Sequence, residues 1–208
     1  MSDFDRNYSA VRGFGADRAV AFDQGLRAHM IRVYNYMAAG VALTGVIAFV
    51  VAQYAMSDPS FAKTLYGSPL AYVVMLAPIF LVYTQSSIAR VFFITATMFG
   101  GLSLYGYTTQ RNLAPMGAFL MMGLIGIFIA GLVNLFLHSS SVQWIVSVVG
   151  VLVFAGLTAW HTQEIKEMYD PMDDGTVAGR KAVLGAWALY ADFVNMFLFL
   201  LRLLGDRR

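Results

Sequence analysis

The 208-residue chain is 59% hydrophobic and only 12% charged, with a mean hydropathy of +0.65, against roughly 25% charged residues in an ordinary soluble domain. So little charge cannot cover a water-soluble globule, and a scattered net charge of +2 gives no footprint for nucleic acid, so no such partner is assigned. The absence of cysteine removes disulfides, thiolate metal sites and cysteine nucleophiles from consideration.

The chain opens with a segment, residues 1–31, that mixes Asp3, Asp5, Asp17 and Asp23 with Arg6, Arg12, Arg18 and Arg27. It lacks the apolar core and small-residue cleavage site of a signal peptide, and reads as a soluble tail held in the cytoplasm by its arginines. Residues 32–208 read as a transmembrane helical domain. No Asp, Glu, Lys or Arg occurs from Val33 to Ser57 or from Asn112 to Gln163, and a bilayer span needs about 20 apolar residues.

Five spans are expected, at Arg32–Tyr54, Ala89–Tyr107, Pro115–Leu137, Val142–His161 and Leu184–Leu204. A sixth apolar stretch, Leu70–Tyr83, is short and interrupted by Pro78, so it reads as a half-span or re-entrant segment. The longest connection, Thr162–Val183, carries eight charged residues and belongs in water, its GTVAGRK run from Gly175 reading as a flexible turn. Small residues at helical spacing, Ala38, Ala42 and Gly45 in the first span and Gly123, Gly126, Ala130 and Asn134 in the third, predict close helix packing. Counting Lys and Arg gives nine on the side of the N-terminal segment and five on the other, with the N-terminus cytoplasmic. The fold class is therefore an all-α, polytopic transmembrane bundle of five to six spans.

Asp192 carries the strongest chemical signal. It lies near the middle of an apolar helix, where an ionisable group costs at least about 2.5–3.5 kcal/mol and is functional by default. Steps of three and four residues put Gly185, Ala188, Asp192, Asn195 and Phe199 on one stripe facing the bundle interior. His161, at the end of the preceding span, is placed to meet Asp192, its alternative role being that of a solvated helix terminus. Arg90 and Arg202 stand near span ends, where long cationic side chains reach the headgroups. His29 and His138 lack a second ligand at metal spacing, and no nucleophile, base and oxyanion constellation appears, so neither an enzyme nor a resident cofactor is expected.

Five collinear segments are similar to the Bax inhibitor-1 family, also called transmembrane Bax inhibitor motif proteins, in its bacterial YccA-type branch. They are GLRAHMIRVYNYMAAGVALTG from Gly25, IFLVYTQSSIARVFF from Ile79, FGGLSLYGYTTQRNL from Phe99, LTAWHTQEIK from Leu157 and LYADFVNMFLFLLRLLGDRR from Leu189. The resemblance implies a bundle of typically seven helices around a central last helix, in the bacterial cytoplasmic (inner) membrane. It also implies a pH-sensitive calcium leak controlled by two aspartates on the last two helices. Asp192 matches the second of these, whereas His161 stands where the first is expected. Between Leu76 and Ile79 the sequence jumps from the start of the family's second helix to the end of its third.

These features together point to a pH-sensitive cation (calcium) leak with Asp192 and His161 in the ion pathway, Asn195 and Glu164 supporting them, and Asp192 as a weak calcium ligand. The competing expectation is a membrane interaction or quality-control protein acting on a membrane protease or another membrane partner without ion flux.

Overall fold

A computed structural model describes residues 3–58, 60 and 77–207. Its helices are α1 (Asp3–Ser57), α2 (Ala77–Val82), α3 (Gln85–Thr108), α4 (Ala114–Leu137), α5 (Ser140–Glu167) and α6 (Gly175–Leu204). Five of them, α1 within Phe22–Ser57 and α3 to α6, are long and apolar enough to cross a membrane, and no strand is present among the described residues. The chain is a polytopic helical bundle.

Local chemistry sets the helix limits. Thr84, Ser139 and Asp174 cap α3, α5 and α6, their side-chain oxygens accepting the backbone N–H of Ser87, Val142 and Val177, donors that a helix start otherwise leaves unpaired. Pro115 lies in the first turn of α4, where its missing N–H is harmless. His138 ends that helix at φ 49, a left-handed conformation that turns the chain directly into α5.

Several elements extend beyond the predicted spans. α1 is already helical from Asp3, and Leu26 and Met30 are buried, so the segment before Arg32 reaches onto the bundle. α5 continues past His161 to Glu167, and the predicted flexible turn at Gly175 is the first part of α6, because Asp174 supplies the cap. Of the short apolar stretch, Leu70–Leu76 lies outside the described residues; its end forms α2, where Phe80 packs on Phe49 of α1 with ring centroids 5.7 Å apart.

α5 and α6 form the centre. They pack on each other, α3 packs on both, α1 lies mainly on α6, and α4 lies on α5. The predicted stripe of α1 is not its packing face: Ala38 and Ala42 are exposed, whereas Met30, Val33, Met37, Ala48 and Ala52 are buried. In α4, Gly123 does approach Val153, but Gly126 and Gly131 face open space. Glycine is required where the helices touch most closely, at Gly106 against the Ala159 backbone and Gly117 against the Trp160 ring. Because lipid is as apolar as a protein core, such packing, and not water exclusion, holds spanning helices together. The large exposed side chains of α4, among them Phe119, Phe128 and Phe136, then face hydrocarbon.

The bundle has two ends. At the hairpin end, the Nζ of Lys166 donates to the Tyr107 carbonyl at 2.9 Å, and Gln163 spans the α3–α4 connection, its Oε1 accepting from Leu113 N–H at 2.7 Å and its Nε2 donating to the Arg111 carbonyl at 2.9 Å. The tail end holds the α4–α5 connection and the chain after α6, which is tied to the start of α3 through Ser87.

Candidate functional site

Asp192 sits in the middle of α6 and is only 2% exposed. An antiparallel approach of α5, made close by Gly185 against Ile165 and Gly150 against Phe199, brings His161 to the same level. Its Nδ1 stands 2.7 Å from Asp192 Oδ2, the distance of a charge-assisted hydrogen bond. The imidazole is about one and a half turns inside α5 and half-buried, and its ring lies 4.8 Å from that of Trp160. The solvated-terminus role considered for His161 does not describe this position.

The supporting residues are placed differently from one another. Asn195 is one turn beyond Asp192, and its Nδ2 donates to the Ala191 carbonyl at 2.8 Å. Glu164 is one turn beyond His161 and half-buried, with no side-chain hydrogen bond among the described residues. Among those residues no group of three or more His, Asp or Glu is placed to hold a metal. What the pair offers chemically is one imidazole nitrogen and one carboxylate, able to exchange a proton with each other or, when separated, to expose an acid to a cation.

The environment of the pair includes residues whose role the sequence hid. A cavity of about 500 Å³ lies between α4, α5 and α6. It begins at Asn195 and Phe154 and runs toward the tail end, where Asn134, Gln143 and Arg202 line it. Asn134 had been assigned to a packing stripe and Arg202 to a headgroup anchor; both line one space. The only signal for this in the sequence is the coincidence of three polar side chains near the ends of three adjacent spans. On the other side of α6, Tyr190 OH and Thr44 Oγ1 are 3.0 Å apart, linking α6 to α1.

The remaining histidines are apart from this site. His29 is buried on α1 beside the Tyr169 ring, centroids 5.8 Å apart, and its Nε2 has no hydrogen-bond partner among the described residues. His138 is exposed at the α4–α5 corner.

Comparison with known proteins agrees with this architecture. A family model described as Inhibitor of apoptosis-promoting Bax1 matches residues 63–208. The inner membrane protein YbhL of Escherichia coli K12 is 39% identical over 93% of this chain and 97% of its own length. An uncharacterized protein of Rickettsia prowazekii is 42% identical over 90% of this chain and 93% of its own. One from Caulobacter vibrioides is 36% identical over the full length of both, and its 251 aligned positions exceed the 208 residues present here. About 43 of those positions therefore have no counterpart in this chain.

Proposed function

The chain belongs to the Bax inhibitor-1 family of integral membrane proteins, and from that premise we propose that it conducts cations, with calcium the expected ion, in a pH-sensitive manner at the His161–Asp192 pair. The observation that carries the proposal is the 2.7 Å contact between an imidazole and a carboxylate in the middle of a spanning helix. A buried acid there is costly unless paired or hydrated, and among the described residues the titratable partner of this one is His161. A cavity that reaches Asn195, one turn from the acid, lies on the tail-end side of the pair. At mildly acidic pH the charged pair closes the site; loss of the imidazole proton releases the carboxylate to a cation.

The inner membrane is the proposed location, by analogy with the Escherichia coli inner membrane protein YbhL. Nine Lys and Arg fall at the hairpin end by chain order and five at the tail end, so the hairpin end and the start of α1 are placed in the cytoplasm.

The test is ion flux from proteoliposomes containing wild type or Asp192→Asn. Wild type should release calcium, and the variant should lose at least about tenfold of the rate, the effect of about 1.4 kcal/mol. Absence of flux in wild type would favour a protein that acts by binding a membrane protease or other membrane partner; equal flux in both would remove Asp192 from the pathway.

A further inference from the structure

We infer that the groove between α4, α5 and α6 is a binding site for one anionic phospholipid, its phosphate at Arg202 and one acyl chain along α4. Arg202 lies in the last turn of α6, exposed, with its guanidinium 5.5 Å from the Phe199 ring centroid. No carboxylate stands within salt-bridge distance of it among the described residues, and Asp206, one turn further on, is engaged with Arg90 at 3.9 Å. The groove contributes no acidic side chain; besides Arg202 its polar members are the amides Asn134, Gln143 and Asn195. An unpaired cation flanked by neutral amides complements a phosphate, which a guanidinium recognises in bidentate fashion.

The rest of the groove is apolar, with Leu124, Ile127, Phe128 and Phe154 among its walls. From Leu124 to Leu135, the stretch of α4 that lines it, a helix rises about 16 Å. One leaflet of a hydrocarbon core about 30 Å thick has the same depth. The groove thus has the polarity and the length of a single lipid standing in the tail-end leaflet, with its head at the interface and the end of its chain near Asn195. α4 packs on α5 alone among the helices with extensive contacts, so the groove is open to the bilayer from which a lipid would come. A chain in the groove and a hydrated route to Asp192 exclude each other near Asn195, so binding is tested directly and not through flux; its outcome stands apart from that of the proposed leak.

The purified protein in neutral detergent is titrated with dioleoylphosphatidylglycerol or dioleoylphosphatidylcholine, and bound lipid is counted by native mass spectrometry. Wild type should retain one phosphatidylglycerol with about tenfold preference over phosphatidylcholine, equivalent to about 1.4 kcal/mol. Arg202→Gln should abolish the preference while leaving chain binding. Gly131 lines the groove and a Cβ there meets nothing within 4 Å, so Gly131→Leu should fold, fill the space and reduce binding of both lipids. Inorganic phosphate should not displace the bound lipid. An unchanged preference in Arg202→Gln, unchanged binding in Gly131→Leu, or displacement by phosphate alone would each overturn the assignment.

Discussion

The backbone N–H of Asp206 donates to Ser87 Oγ at 2.9 Å, and the returning bond, from Thr84 N–H to the Asp206 carbonyl at 3.1 Å, ties the chain after α6 to the start of α3. The start of α3 and the end of α6 therefore share one end of the bundle, and the Phe49–Phe80 contact brings the second half of α1 and α2 toward the same region. The chain leaves α1 and enters α3 without a net crossing between them. Reporter fusions after Asn112 and after Arg208 should consequently report opposite faces, with Asn112 on the side of the start of α1. Both reporting the same face would refute the five-crossing arrangement.

The pH response follows from the two groups at the site. Histidine is the side chain whose unperturbed value, about 6.5, lies nearest neutrality, so the proposed mechanism takes His161 as the member of the pair that loses its charge between about pH 6 and 8. The attraction is present while the imidazole is charged and is lost as pH rises through its titration, so flux should increase over that range. His161→Gln should flatten the rise while retaining flux; a profile identical to wild type would exclude His161 as the sensor.

Calcium binding should be limited by the imidazole, because calcium prefers several oxygen ligands. His161→Asp supplies a second carboxylate beside Asp192, with Glu164 one turn away. Calcium should protect this variant against thermal unfolding at concentrations about tenfold lower than it protects wild type, a difference of about 1.4 kcal/mol. Equal protection of the two proteins would mean that the imidazole does not limit calcium binding.

Packing at the close approaches is testable separately from transport. Gly106→Val places a Cβ against the Ala159 backbone, which cannot swing aside, and should destabilise by about 1–3 kcal/mol as overpacking does. Gly126→Ala, whose Cβ meets nothing within 4 Å, should be neutral or stabilising by up to about 1 kcal/mol. Thermal unfolding in detergent compares them, and similar losses for both would contradict the described packing.

The spans were legible because their charge-free length leaves no other fold, and the Asp192 stripe because a lone acid in an apolar helix demands a partner. Helix ends were not: Glu164, Lys166 and Glu167 read as loop, yet a helix continues readily once it has left the hydrocarbon. The packing face of α1 is hidden in the sequence because small size at Ala38 and Ala42 matters only where a neighbour is present, and the buried side chains are those of Met30, Val33 and Met37 instead. The groove was invisible for a related reason, since it is made by the spacing between α4 and α6 and not by any residue. Gln163, which spans the α3–α4 connection, looked like one more polar residue at a span end.

Gly106 and Gly117 receive Ala159 and Trp160 from two sides of α5, immediately before His161. A rotation of α5 large enough to withdraw His161 from Asp192 would have to carry both neighbours out of those notches, a concerted repacking of three helices. Turning the imidazole alone would leave both notches filled, so in the proposed leak the site's response would be timed by proton transfer and water entry while the surrounding bundle stands still.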